Sequence, residues 1–232
     1  MKKFLLYIST ALLILSTGSC EKESEGLTRI TYYPVLTLEG ETTIIIEKGG
    51  AFVEPGYSAV LNGTDVTESV VVKNTVDAST SGIYSVSYKI TNEDGFSSSA
   101  SRKIIVLDLK DNVEGIYAVD PDSYRDYGGT IAKFGKPFEF LVINKGSYYE
   151  FDDLIAGWYA QRANYGSKYA MQAQVTIDAD GTMTLLDSLV PGWGDSADGM
   201  GADSKYDFDT HTFTYNVDYA GLMTFYVTAT RK

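Results

Sequence analysis

Residues 83–90, IYSVSYKI, alternate between two kinds of side chain. Tyr84, Val86, Tyr88 and Ile90 fall on one side; Ser85, Ser87 and Lys89 fall on the other. A period of two sends successive side chains to opposite faces, so this stretch predicts a half-buried β-strand. Asn92-Glu93-Asp94-Gly95 follows as a turn, with glycine where a positive φ is wanted. Residues 100–107 then return as a second strand, and 43–47 and 70–73 are short β-branched runs upstream. Five or more short strands in under 80 residues predict a sandwich.

The second half repeats the pattern. Candidate strands are 116–119, 138–143, 148–151, 171–177, 183–186, 212–217 and 224–230. Met171, Ala173, Val175 and Ile177 alternate with Gln172, Gln174 and Thr176, and Phe213, Tyr215 and Val217 form another apolar set. Asp178-Ala179-Asp180-Gly181 reads as a hairpin turn. Only 153–159 carries a short helical pattern. The chain is therefore expected to be all-β, with an N-terminal sandwich over 30–108 and a second antiparallel sandwich or small barrel over 113–232. The polar join between them, 108–112, has no Pro/Ser/Gly linker character, which restricts the range of mutual angles.

The first 20 residues differ from everything after them. Lys2 and Lys3 precede the apolar run FLLYISTALLIL, and Gly18 and Ser19 precede Cys20, the single cysteine. A charged segment, a short apolar segment and small residues form the layout of a secretory signal over 1–19. The apolar run is too short for the roughly 20 residues of a spanning helix. Small residues ending in Cys resemble a bacterial lipobox, which implies cleavage before Cys20 and a lipid on its thiol; a buried or reactive free cysteine is the other reading. Two or more acyl chains hold a protein durably on a membrane. Residues 20–29 would then be a lipidated tether. Its acidic run Glu21-Lys22-Glu23-Ser24-Glu25 resembles the surface-export signal of lipoproteins from gut Bacteroidota-type bacteria, or is a plain solvated spacer.

Charge narrows the partners. Cleavage removes two lysines and no acid, leaving 17 basic against 31 acidic residues, a net charge of −14. That argues against nucleic acid and against anionic head groups, so membrane contact is expected through the lipid alone. With Cys20 committed, no thiol remains for a disulfide, a nucleophile or a zinc site.

The motifs of the first half have an order of their own. Pro34, Gly49, Phe52-Val53-Glu54-Pro55-Gly56-Tyr57, Asp65-Val66-Thr67, Gly82-Ile83-Tyr84-Ser85-Val86-Ser87-Tyr88, Asp94-Gly95 and Arg102-Lys103-Ile104-Ile105-Val106 follow one another. This resembles the bacterial immunoglobulin-like repeats of surface adhesins, glycosidases and some insecticidal toxins. The resemblance implies a spacer or a site of protein contact. The second half carries Gly115-Ile116-Tyr117, Tyr148-Tyr149-Glu150-Phe151-Asp152-Asp153, Gly157-Trp158-Tyr159, Tyr165-Gly166, Asp180-Gly181-Thr182, Gly192-Trp193-Gly194-Asp195 and Tyr206-Asp207. It is similar to the C-terminal domain of two-domain lipoproteins encoded beside starch-utilisation-type polysaccharide importers. That implies a surface lipoprotein of a polysaccharide-utilisation system, in the neighbourhood of glycan capture at the outer membrane, and no particular binding residue.

Candidate chemistry concentrates in 152–169, DDLIAGWYAQRANYGSKY, and in Gly192-Trp193-Gly194. Flat aromatics stack on the apolar face of a sugar while polar groups bond its hydroxyls. Trp158, Tyr159, Arg162, Tyr165, Trp193 and Asp195 are the candidate ligand-binding residues, with Gln161 and Asn164 nearby; the same aromatics also read as core or edge packing. Asp195, Asp198, Asp203, Asp207 and Asp209 offer oxygen ligands but lack the EF-hand order, so no metal and no cofactor is expected. Ser196 lies in a Gly-Asp-Ser run, yet the single histidine, His211, looks like part of a hairpin tip. A carboxylate pair for glycoside hydrolysis cannot be chosen from 31 acids. The expectation is a non-catalytic glycan binder. The alternative is a structural or protein-contact module that docks on an outer-membrane importer or surface assembly.

Overall fold

The computed structural model describes residues 30–232; the signal segment, Cys20 and the tether lie outside the described residues. Seven strands build the first half: β1 (Val35–Leu38), β2 (Thr43–Glu47), β3 (Tyr57–Leu61), β4 (Thr64–Asp65), β5 (Val71–Asn74), β6 (Gly82–Thr91) and β7 (Ser97–Leu107). They form a three-stranded sheet, β1-β3-β4, and a four-stranded sheet, β2-β7-β6-β5. β6 and β7 are antiparallel through ten paired positions, while β2 runs parallel to β7. The alternation in 83–90 is realised: Val86, Tyr88 and Ile90 are buried. Val86, Tyr88 and Ile104 pack against Ile44 of the same sheet and against Leu36, Phe52 and Tyr57 from the facing strands and loops.

This core is small, and a buried arginine clasps it. Arg102 of β7 has no exposed surface. Its Nε donates to Glu54 Oε1 at 3.1 Å, and its terminal nitrogens donate to the carbonyls of Glu41 at 2.6 Å, Glu39 at 2.5 Å and Gly56 at 2.6 Å. Tyr88 donates its hydroxyl to the same Glu54 carboxylate. Glu39 follows β1 and Gly56 precedes β3, so one side chain ties the two sheets together. Antibody domains use a disulfide for that inter-sheet link.

Eleven strands build the second half: β8 (Gly115–Val119), β9 (Tyr124–Tyr127), β10 (Thr130–Lys133), β11 (Glu139–Asn144), β12 (Tyr149–Phe151), β13 (Gln172–Ile177), β14 (Met183–Leu189), β15 (Ala197–Met200), β16 (Lys205–Asp207), β17 (Thr212–Tyr219) and β18 (Met223–Arg231). All pairings are antiparallel, and the path runs β14-β13-β12-β11-β8-β18-β17, with β15 and β16 both on the outer edge of β17. The sheet curls until its ends meet. Thr182 bridges Lys205, Met183 N donates to Ser204 O at 3.0 Å, and Tyr206 N donates to Gly181 O at 2.8 Å. Gly181 permits this approach, because a Cβ there would stand 2.0 Å from Tyr206 O. Of the two expected architectures, a sandwich and a small barrel, this single curled antiparallel sheet is nearer the barrel. Its interior is aromatic, with Tyr117, Phe140, Phe151, Phe213 and Phe225 buried together.

The end of β7 departs from alternation, since 104–107 are all buried. Ile104 faces the sandwich core. Ile105 and Leu107 pack instead on Leu141 and Ile143 of β11, beside Ile116 of β8. Each such side chain contributes roughly 1.5–3 kcal/mol when fully buried. The join is held as well: Glu114, 2% exposed, accepts from Asp108 N at 2.7 Å and Asn144 N at 3.1 Å. Asp111 accepts from Val113 N and Glu114 N, and its carbonyl accepts from Arg231 Nη1.

Replacing Arg102 by Leu strands the Glu54 carboxylate and three carbonyls. The expected loss is about 3–5 kcal/mol, as for other broken buried ion pairs, read as a drop in the urea midpoint of the Ig-like half. A loss under about 1 kcal/mol would show that the clasp is replaceable by packing.

Candidate functional site

The candidate site is built on the connection from β12 to β13 and on the turn between β14 and β15, which the bridge between Val190 and Asp195 closes. Asp153 organises the first. Its side chain is buried, 2% exposed, and accepts three amide hydrogens: Ile155 N at 3.2 Å, Gly157 N at 3.0 Å and Met171 N at 3.1 Å. This forces a tight reversal in which Ala156 and Gly157 both take positive φ, 55° and 83°. A non-glycine residue pays about 1–2 kcal/mol for that conformation. The expected helix over 153–159 is therefore displaced: 154–157 form the reversal itself, and a five-residue π-helical turn, Trp158–Arg162, follows. Burial pushes the Asp153 carboxyl up to about 7 against the pull of its three amide donors.

The two tryptophans part company here. Trp158 points inward and is 3% exposed. Phe134 and Phe225 meet it edge-on at 5.0 and 5.7 Å. The guanidinium groups of Arg162 and Arg125 lie over its ring at 4.1 and 4.8 Å. Trp158 thus presents no face to solvent and cannot stack on a ligand, which corrects its place among the candidate binding residues. Arg162 keeps an exposed position, but its guanidinium covers that ring, and Gln161 spends its amide on Glu139 O at 2.5 Å.

Trp193 points outward and is 44% exposed. It sits at the tip of the β14–β15 turn, whose base is closed by Val190 N donating to Asp195 O at 2.7 Å. Tyr169 packs under that tip, with its ring 4.8 Å from Trp193. Gly192 makes room, since a Cβ there would lie 2.5 Å from the Tyr169 ring. Tyr159 and Tyr165 stack at 6.1 Å, 17° apart, and Trp193 stands at 89° to both, 4.8 Å from Tyr159 and 6.2 Å from Tyr165. Tyr165 is 54% exposed and Tyr159 is half-buried, its hydroxyl 3.3 Å from Met223 Sδ. The result is an aromatic corner, two faces at right angles, with Lys168 over Tyr169 at the rim.

Asp195 is exposed beside the corner. Tyr219 OH lies 2.9 Å from both of its carboxylate oxygens. Burial first, and the Asp195 carboxylate second, push the Tyr219 phenol well above its ordinary range, so it stays a donor at any physiological pH. Tyr219 was not among the sequence candidates, although it continues in phase the apolar set Phe213, Tyr215 and Val217.

Other candidate chemistry is dispersed. Asp198 accepts from Gly221 N, and Asp207 accepts from Asp209 N and Thr210 N. Among the described residues no three metal-ligating side chains converge. His211 shares Tyr206 OH, Asn112 O and Arg231 Nη2 at one end of β17, while Ser196 adjoins Ala197, which pairs with Tyr219 at the other. Seven strand steps, roughly 20 Å, separate the two ends.

Fold and site together describe a two-domain all-β protein with an open aromatic corner on its second domain. Residues 36–106 match the family described as "Bacterial surface protein, Ig-like domain", and residues 106–231 match a second family described as a C-terminal domain. The lipoprotein BT2262 from Bacteroides thetaiotaomicron is similar at 39% identity and a TM-score of 0.74, over 86% of this chain and all of that one. The chain belongs to this family of two-domain bacterial lipoproteins. Two structures of Clostridium perfringens ZmpB, one of its catalytic domain with CBM51-1 and CBM51-2 and one of CBM51-2 in complex with GlcNAc, align over 86% and 85% of the chain. Their identities are 18% and 17%, their TM-scores 0.29 and 0.27, and 21% and 43% of those chains are covered; likenesses this slight carry no weight. No curated protein matches.

Two outcomes follow from these placements. Trp158→Ala should destabilise the protein by about 3–5 kcal/mol in urea unfolding, as core truncations do, whereas Trp193→Ala should cost under about 1 kcal/mol; equal costs would contradict the assignment of one to the core and one to the surface. The Asp153 carboxyl carbon, followed by NMR, should titrate near pH 7. The folded state then keeps a proton that an unfolded aspartate, with its usual value of 3.8, has lost. Its stabilising contribution is thus full below about pH 4 and is lost as pH rises through 7. A midpoint at or below 4 would mean that the amide donors outweigh burial.

Proposed function

We propose that the protein is anchored in the outer membrane through lipid on Cys20, is exposed at the cell surface, and binds a glycan without turning it over. In this reading it supports polysaccharide uptake, and the Ig-like half serves as spacer for the C-terminal head. The observation that carries it is the aromatic corner of Tyr165 and Trp193. Exposed aromatic faces this size cost the free protein contact with water and repay it when a sugar's C–H face covers them. A flat strip would suit a flat surface; two faces at right angles suit one chain, with one ring under a sugar face and the other against its edge. Asp195 and Lys168 stand beside the rings to bond hydroxyls. Relatedness to a Bacteroides lipoprotein supports the address, and the net charge fits a soluble body held off the membrane by lipid.

The test is binding of the full chain, in detergent, to immobilised polysaccharides. Trp193→Ala should weaken binding at least about 30-fold, the size of a hot-spot loss of 2 kcal/mol. No binding by the parent to any member of a broad panel would sink the glycan reading and leave the alternative of protein contact. Protease accessibility on whole cells tests the address: a chain protected until the outer membrane is broken would contradict surface exposure.

A further inference from the structure

The barrel wall has an opening beside the aromatic corner. β14 pairs with β13 along one edge. Among the described residues its other edge is tied at two places. At one end Thr182 and Met183 meet Lys205 and Ser204. At the other, Ala197 N donates to Ser188 Oγ at 2.9 Å. Between these ties, 184–187 and 198–202 face each other with no ladder pairing recorded among the described residues. They bound an open groove of about 560 Å³. Ser188 and Ser196 form the end of the groove at the base of the Trp193 turn.

The lining has a definite chemistry. A strand edge without a partner offers amide donors and carbonyl acceptors in alternation, and Thr184 and Ser196 add hydroxyls. Sugar hydroxyls donate and accept, and so match such an edge. Leu186, 53% exposed, and Met200 supply apolar surface. The charged residues of the lining are Asp187 and Asp198; no Lys, Arg or His lines it. A sulfated or uronic-acid chain would face two carboxylates without a counter-charge. A peptide strand is disfavoured for a different reason. The unpaired stretch of β14 is four residues, roughly 13 Å, shorter than an ordinary strand, so an added strand would gain few ladder bonds.

We propose that this seam is a second subsite, which continues the aromatic corner and takes an uncharged glycan chain. The proposal rests on the glycan reading of Trp193 and Tyr165 and extends it from one anchored sugar to several. Longer chains should bind more tightly than short ones because they fill the seam as well as the corner.

Gly199 allows a direct test. It lines the groove, its backbone is not in the left-handed region, and a Cβ there meets no atom within 4 Å. Gly199→Trp should therefore plug the groove and leave the corner alone. Thr184→Trp, exposed on the opposite wall, plugs it independently should the first variant fold poorly. The full chain in detergent would be titrated with neutral polysaccharides (dextran, mannan, xylan, galactan), with anionic ones (polygalacturonate, chondroitin sulfate, heparin), and with oligosaccharides of rising length from the best binder. Binding is expected to the neutral set only, with at least a tenfold gain from disaccharide to hexasaccharide. Both plugged variants should keep the disaccharide affinity and lose that gain, while Trp193→Ala loses both. An unchanged gain in the plugged variants, with Trp193→Ala inactive, overturns the seam and spares the corner. Tightest binding to an anionic chain, or plug-sensitive binding of an extended heptapeptide in place of any polysaccharide, overturns the seam as described. No glycan binding by the parent overturns the corner and the seam together.

Discussion

A buried carboxyl group with three amide hydrogens pointed at it sets the geometry of the head. Asp153 gathers Ile155, Gly157 and Met171 onto one side chain, and so brings the start of the β12–β13 connection back to its end. That loop closure fixes where the π-helical turn begins, and the turn decides that Trp158 goes in and Tyr159 and Tyr165 go out. The left-handed Ala156 is tolerated because the carboxyl group repays its strain. A loop held in this way from inside can present large aromatic rings to water without collapsing on them. The Trp193 turn reaches the same end by backbone means, through its closed base and a glycine that lets Tyr169 wedge beneath it.

Much of the framework was legible in the chain. Strong alternation marked β6, β13 and β17, because each has one buried face and five or more residues to show it. The strands that escaped notice are short, or polar on both faces. β15 (Ala-Asp-Gly-Met) and β16 (Lys-Tyr-Asp) have little β-propensity of their own. They are strands because the curled sheet needs an edge to meet. β9 and β10 form a hairpin outside the main curl, and their mixed polarity carries no period. The site was half legible. Both tryptophans follow a glycine, Gly157-Trp158 and Gly192-Trp193, and nothing local tells them apart. The difference lies in distant partners: Phe134, Phe225 and Arg125 close over one ring, and none of them reaches the other.

The two buried networks of charge have opposite characters. Around Arg102 the cation and Glu54 neutralise each other, and the spare donors go to carbonyls, so the cluster is saturated and structural. Glu114, between the halves, binds two amides and, among the described residues, has no cation paired with it; it serves as a polar staple where the chain changes domain. Neither has a vacant position to offer a ligand.

The last four residues of β7 serve two cores at once, and this bears on how the chain can be made. The Ig-like half leaves the ribosome first. Until the second half follows, Ile105 and Leu107 have nothing to cover them. An isolated copy of the first module would carry a greasy strip along one strand. It is not a bead that can be strung in any number between other beads, as repeats in an adhesin stalk can. Its surface has been fitted to one neighbour, so duplication, swapping or transplantation of this module into another protein would need that strip rewritten first.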